Sequence, residues 1–210
     1  MGKIGLFGGT FDPPHKGHIK LASAVLDEFS LDKLLFIPAG NPPHKKDKKK
    51  TDKIHRYEMV KIAIEGQSEN RFSLSDFDIK NEEPNYSYLT IAHFKDLYPD
   101  DEIFFIVGAD SYRDFPLWKN YPDILSLCTF IVVNRQGIEN DSYYEKYKKI
   151  DASHKALFLK DFSYDLSSTE LREQILSGNA NSEDLPDGVW DYIIKNKLYS
   201  RVTADIRTTP

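Results

Sequence analysis

One cysteine, Cys128, stands in 210 residues, which excludes an internal disulfide and leaves the fold to be held by burial alone. A lone thiol of this kind suits a reducing compartment and reads as a small core residue. No run of ~18 apolar residues occurs, which excludes a membrane-spanning helix. The first residues carry one lysine and a short apolar stretch broken by Gly5, Gly8 and Gly9, which does not read as a secretory leader. Leu6 stands where myristoylation of Gly2 would want Ser or Thr. Positive charge is not in excess either, since 28 Lys and Arg against 33 Asp and Glu leave −5. That balance argues against a general nucleic-acid coat. The expectation is a cytoplasmic protein with neither a nucleic acid nor a membrane as partner.

Several familiar site motifs are also missing. There is no G-x-x-x-x-G-K-[ST], so a Walker-type ATPase is not indicated. Gly5, Gly8 and Gly9 do not form G-x-G-x-x-G, so the dinucleotide fingerprint fails. Neither H-E-x-x-H nor C-x-x-C is present, and no internal repeat is visible.

What remains is the composition of a folded globular chain, 40% hydrophobic and 29% charged. Ile4 to Phe7, Leu34 to Ile37, Ile103 to Val107, Phe130 to Val133 and Leu157 to Leu159 read as buried parallel strands. Phe72 and Leu74, with Phe77 and Ile79, suggest one or two more. Helical spacing covers Ile19–Phe29, His55–Glu65, Tyr88–Leu97, a segment opening at Ser167 and one around Val189–Ile193. Glu139–Lys149 reads as a polar surface helix. The predicted fold is α/β, a Rossmann-like doubly wound parallel sheet with helices on both faces. One domain spans residues 1–200, and a tail without fixed structure fills 201–210.

The chemistry gathers in the first strand-to-helix turn, Gly8-Gly9-Thr10-Phe11-Asp12-Pro13-Pro14-His15-Lys16-Gly17-His18. Glycines there bring backbone amides close to a ligand, and a helix N-terminus favours a phosphate. Two readings of His15 and His18 remain open. They are a metal pair with Asp12 as third ligand, or hydrogen-bond donors to a phosphoryl group. Gly108-Ala109-Asp110 ends the most apolar strand, where a carboxylate either meets ribose hydroxyls or caps a turn. Gly40-Asn41-Pro42-Pro43-His44-Lys45-Lys46 follows the second strand on the ligand-binding edge, while Lys48 to Lys50 read as solvated surface. Ser167 and Glu170 have capping-box spacing, so part of that signal is structural.

The pattern Gly8-Gly9-Thr10-Phe11-Asp12-Pro13-x-His15-x-Gly17-His18 resembles the HxGH signature of the nucleotidyltransferase superfamily. Ser168-Thr169-x-x-Arg172 is similar to its second signature. Within it the chain most resembles the bacterial nicotinate-nucleotide adenylyltransferase family. Pro42-Pro43-His44-Lys45, His55-Arg56-x-Glu58-Met59, Pro84-x-Tyr86, Gly108-Ala109-Asp110 and Pro116-x-Trp118 fall in that family's order. The resemblance implies that ATP and nicotinate mononucleotide give deamido-NAD and pyrophosphate, with Mg²⁺ accompanying ATP. The attacking group is already an anion, so alignment and charge neutralisation replace a base or covalent nucleophile.

By the same resemblance His15, His18 and Arg172 are the catalytic residues, His18 contacting the ATP α-phosphate and His15 the neighbouring oxygens. Gly8, Gly9, Thr10 and Phe11 line the phosphates with amides, and Ser168 and Thr169 hold the β- and γ-phosphates beside Arg172. Gly108 and Asp110 take ribose hydroxyls, with Arg135 near the adenosine. His44, Lys45, Arg56, Ser87, Trp118 and Lys119 fall on the mononucleotide side, Trp118 stacking on the pyridine. Where the family often has Pro-Ser-Tyr-Thr and an acid two places on, this chain has Asn85-Tyr86-Ser87-Tyr88-Leu89. Ser87 keeps a hydroxyl, and Lys119 would favour a carboxylate over an amide. Rival readings are phosphopantetheine adenylyltransferase, a non-catalytic nucleotide-binding protein on the same fold, and a metal-dependent hydrolase. A homo-oligomer is left open.

Overall fold

Five short runs of near-continuous apolar residues cannot leave either face in water, and the chain resolves this by stacking them into one sheet covered on both sides. The structure, a computed structural model, describes residues 1–41, 50–82, 84–133, 156–159 and 162–200. Its strands are β1 (Lys3–Gly9), β2 (Lys33–Pro38), β3 (Phe72–Leu74), β4 (Glu102–Gly108), β5 (Thr129–Val133) and β6 (Ala156–Leu159). They form a single all-parallel sheet in the order β3-β2-β1-β4-β5-β6. Leu6 faces Leu35 on one side and Phe105 on the other. The winding reverses between β1 and β4, so their carboxyl ends, Gly9 and Gly108, flank the crevice where such sheets bind ligands.

Alternation along the strands sends successive side chains to opposite faces. Phe7, Phe36, Phe104, Ile106, Ile131 and Val133 pack under α1 (Lys16–Glu28), α2 (Lys53–Glu65), α7 (Ser168–Ser177) and α8 (Val189–Lys195). Ile4, Leu6, Leu35, Ile37, Phe105 and Val132 pack under α4 (Ser87–Leu97), α5 (Ala109–Arg113) and α6 (Tyr121–Leu127). The doubly wound fold expected from the sequence is what forms. Among the described residues no helix is long and apolar enough to cross a membrane.

Two local expectations differ. Phe77 and Ile79 do not continue as a strand but lie in a single helical turn, α3 (Phe77–Lys80). The Ser75 hydroxyl accepts the Phe77 N–H at 3.1 Å, and Lys80 N–H donates to the Asp76 carbonyl at 2.9 Å. Such local bonds give the backbone an alternative to a ladder, and a three-residue alternation is too short to outweigh them. Helix α6 was not expected at all. Its start is marked by Asn120 in left-handed conformation (φ +55°) and Pro122 in the first turn. The expected Glu139–Lys149 helix lies outside the described residues.

Helix α3 buries Asp78 against Thr90 of α4, whose hydroxyl donates to Asp78 Oδ1 at 2.8 Å. Burial pushes this carboxyl up to about 6 against that hydrogen bond. The folded state therefore keeps a proton that the unfolded chain has released between pH ~4 and ~6, so stability falls as pH rises through that window. Above it the full penalty is present. Asp78→Asn keeps an acceptor for Thr90 and removes the charge. It is expected to raise stability at pH 7.5 by roughly 1–3 kcal/mol and to have little effect at pH 4. Urea denaturation of both proteins across this range is the check, and a difference independent of pH would refute it.

Candidate active site

The first turn is built around a buried aromatic plug. Phe11 is 2% exposed and sits in the left-handed region at φ +49°, a disfavoured conformation for a bulky residue. Its ring lies 5.4 Å from Phe7, 5.8 Å from Phe36 and 5.1 Å from the His18 imidazole. A Cβ at Gly9 would come within 2.7 Å of the Phe11 ring, so that glycine is required by packing inside the turn. Gly17 has an equally local reason, because a Cβ there would collide with the Tyr164 ring and His15 Nδ1.

His15 is the N-cap of α1 and His18 its third residue. The His15 backbone N–H donates to His18 Nδ1 at 3.1 Å. An imidazole nitrogen that accepts carries no proton, so the proton of the neutral His18 ring is on Nε2. His18 thus stands where a capping-box Glu would stand and has a donor on its outer nitrogen. The two rings are 3.8 Å apart by centroid, and Tyr164 stacks on His15 at 5.7 Å with planes 6° apart.

Helix α7 opens with the expected capping box. Ser167 Oγ accepts from Glu170 N–H at 3.2 Å, and Glu170 Oε2 accepts from Ser167 N–H at 2.8 Å. The next residues tie this helix to the first turn across more than 150 positions of sequence. Ser168 Oγ donates to the Pro13 carbonyl at 2.9 Å, and Arg172 Nη1 donates to the Asp12 carbonyl at 2.6 Å. Arg172 Nη2 also donates to Thr169 Oγ1 at 3.2 Å. The Asp12 carboxylate is engaged as well, accepting from Thr51 N–H at 3.2 Å and from the Tyr199 hydroxyl at 2.6 Å.

Between these elements lies a cleft of about 750 Å³, lined among others by Gly8–Asp12, His15, His18, Gly108, Ser167–Glu170 and Arg172. Gly8 and Gly108 face it differently from Gly9 and Gly17. A Cβ on Gly108 would meet nothing within 4 Å, and one on Gly8 only an ordinary contact with Phe105 at 3.7 Å. The space those side chains would fill belongs to the cleft. Gly108→Val is therefore expected to leave thermal stability unchanged while raising roughly tenfold or more the KM for ATP, the nucleotide that the HxGH resemblance implies, by filling that space. An unchanged KM in that variant would show that no ligand uses the space.

Other site expectations have mixed outcomes. Asp110 is exposed and pairs with Arg113 at 3.2 Å; its neighbour Ser111 lines the cleft instead. Lys50, read as solvated surface, is also a cleft residue. Arg56 departs most from its expected role. It is 1% exposed, and its guanidinium donates to the carbonyls of Thr51, Thr10 and Gly40. A guanidinium that holds three carbonyls in the interior braces the site wall. His44, Lys45 and Arg135 lie outside the described residues.

On the opposite side of the sheet end, Trp118 packs edge-on against Phe105 at 6.3 Å and Phe115 at 5.5 Å. Phe105 is the ring beside Gly8, so Trp118 is one aromatic layer from the first turn. Lys119 Nζ stands 4.5 Å over the Tyr86 ring, which brings it to the N-terminus of α4 at Ser87. Asn85 clamps this corner to the exit of β2, since its Oδ1 accepts from Asn41 N–H and its N–H donates to the Asn41 carbonyl at 3.0 Å. Leu89, where the family pattern has an acid, is 43% exposed. Tyr164 and Tyr199 have no local signature and reach the first turn from far along the chain, whereas Ser111 follows directly on the Gly108-Ala109-Asp110 segment.

A cytidylyltransferase-like family profile matches residues 6–174. A Clostridium botulinum protein named "Probable nicotinate-nucleotide adenylyltransferase" is 42% identical over 197 residues, 92% of this chain and 97% of the relative. A Clostridium tetani protein of the same name is 40% identical over 201 residues, 95% of this chain and 100% of the relative. The Plasmodium falciparum nicotinic acid mononucleotide adenylyltransferase, solved with NaAD, has the same fold. It superposes with a TM-score of 0.77 at 22% identity, over 95% of this chain and 98% of that one. On the sheet order, the paired histidine and arginine motifs and these full-length relatives, the chain belongs to the cytidylyltransferase-like family and, within it, to the nicotinate-nucleotide adenylyltransferases, enzymes of NAD biosynthesis.

Proposed function

We propose that this chain performs the family reaction by direct in-line attack of the nicotinate mononucleotide phosphate on the ATP α-phosphate, with deamido-NAD and pyrophosphate as products. The observation that carries this reading is the stitching of α7 onto the first turn by Ser168 and Arg172. It sets two imidazoles and a guanidinium along one cleft, next to exposed strand-end glycines. Every one of these groups can donate, which suits a reaction that needs charge neutralised and has no proton to remove from its nucleophile.

In this scheme His18 Nε2–H donates to the α-phosphate as negative charge builds there, and His15 meets a neighbouring oxygen. The amides of Gly8 to Phe11 lie along the triphosphate. Arg172 and Thr169 hold the leaving pyrophosphate, with the guanidinium aimed by the Asp12 carbonyl. Gly108 gives the nucleoside close access to the end of β4. Trp118, Lys119 and Ser87 receive the pyridine and its carboxylate on the far side of Phe105.

Mg²⁺ accompanies ATP as the family implies. Among the described residues no three His, Cys, Asp or Glu side chains are grouped to cage a metal, and both Asp12 carboxylate oxygens already accept hydrogen bonds. The ion would be held by the triphosphate and its waters, the usual habit of Mg²⁺ with nucleotides. Bound there, it supplies neutralising charge to the phosphates.

The test is pyrophosphate release from ATP with nicotinate mononucleotide, nicotinamide mononucleotide and phosphopantetheine offered in parallel. Release with nicotinate mononucleotide well above the other two is expected. Release with phosphopantetheine alone, or with no acceptor, would overturn the proposal.

A further inference from the structure

The last described residues of the chain reach back to the first turn in a way that the catalytic motifs do not require. After α8 the backbone passes through two left-handed non-glycine residues, Lys197 at φ +52° and Tyr199 at φ +55°. That conformation is disfavoured for side chains of this size and persists only where surroundings impose it. Its result is that the Tyr199 hydroxyl donates to Asp12 Oδ1 at 2.6 Å, across 187 positions of sequence. Burial first, and then the Asp12 carboxylate, pushes the phenol above its ordinary range, so it stays a donor. Tyr199 also lies outside residues 6–174, the segment that the family profile matches.

Asp12 is the point where this bond becomes functional. Its other carboxylate oxygen accepts from Thr51 N–H at 3.2 Å, and its main-chain carbonyl accepts from Arg172 at 2.6 Å. Thr51 in turn gives its carbonyl to Arg56, which also holds the Thr10 carbonyl at 2.8 Å. One connected set of hydrogen bonds thus joins the turn, the segment before α2, the guanidinium of α7 and Tyr199 beyond α8. A buried network is costly when one member loses its partner, because the remaining charge is left unpaired.

We propose that Tyr199 is a positioning residue for ATP: its hydroxyl fixes Asp12, and through the Asp12 carbonyl it aims Arg172 at the phosphates. This rests on the reading of Arg172 as a phosphate ligand given above. Tyr199 touches no reacting atom and acts only through Asp12.

The experiment measures equilibrium ATP binding by calorimetry, together with kcat and the KM of each substrate, for Tyr199→Phe. The phenyl ring keeps its packing on the α8 side, so only the hydroxyl is lost. ATP Kd and KM are expected to rise about tenfold or more, the loss of one bond to a charged group, with a smaller change in KM for nicotinate mononucleotide. In an Arg172→Ala background the same change should weaken ATP binding less than about threefold, because the residue it aims is gone. Tyr192→Phe removes a comparable hydroxyl, bonded to His55 Nδ1 at 2.9 Å, and should leave ATP binding unchanged.

An ATP Kd within twofold of wild type in folded Tyr199→Phe would overturn the proposal. So would an equal loss in both backgrounds, the mark of a general packing defect. If Tyr199→Phe does not fold, Asp12→Asn replaces it on the same criterion of tenfold against twofold. Wild-type protein that binds ATP but transfers nothing to nicotinate mononucleotide would refute the reaction proposed above and leave this inference to be decided by the binding data.

Discussion

His18→Asn is expected to lower kcat on the order of 10²–10³-fold with the fold intact. Asparagine is the instructive replacement because its Oδ1 occupies nearly the position of imidazole Nδ1. It can therefore still accept the His15 N–H that His18 accepts at 3.1 Å. The variant preserves the cap of α1 and removes only the outer Nε2–H donor. His18→Ala removes both, and is expected to lose a similar factor in kcat plus about 1 kcal/mol of stability. The pair separates capping from chemistry, since kcat should fall in both variants and the melting temperature in only one. Single-turnover measurements at saturating ATP are the appropriate readout. A His18→Asn rate within fivefold of wild type would remove transition-state donation from the mechanism.

Arg172→Lys should lower kcat/KM for ATP by roughly 10²-fold, and Arg172→Ala by more, although lysine keeps the charge. The reason is geometric. One arm of the guanidinium is held by the Asp12 carbonyl at 2.6 Å and another by Thr169 Oγ1 at 3.2 Å, which fixes the plane of the fork. An ammonium has no plane to fix and cannot span those two acceptors while facing a phosphate. The loss should appear with ATP, with KM for nicotinate mononucleotide changed much less. Equal losses for both substrates would place Arg172 in general architecture instead of on the leaving group.

The local motifs were legible because their physics is local. Gly8 to His18 names a strand end, a tight turn and a helix start within eleven residues. Ser167 and Glu170 announce a capping box that forms as read. Apolar runs with helices between them imply a parallel sheet. Phe77 and Ile79 misled because two alternating apolar residues carry less information than a serine able to capture an amide. Arg56 misled for a different reason. The family resemblance implies a role on the mononucleotide side, and only the packing of α2 under the turn shows that the guanidinium holds three carbonyls in the interior.

The glycines draw the same line. All four positions Gly8, Gly9, Gly17 and Gly108 look alike as letters. Only the folded neighbours show that Gly9 and Gly17 make room for Phe11 and Tyr164, while Gly8 and Gly108 leave room for something else.

By itself the sequence determined the α/β class, the first turn with its two histidines, the capping box at Ser167 and the family, because periodicity, capping and motif spacing act within a dozen residues. Tertiary structure alone decided which donors face the cleft. It alone turned Arg56 inward, brought Ser111 and Lys50 into the lining, and joined Tyr199 to Asp12. Those outcomes depend on contacts between segments that meet only in the fold, up to 187 positions apart for Asp12 and Tyr199, whose partners are chosen by sheet order and burial and leave no pattern in the local chain.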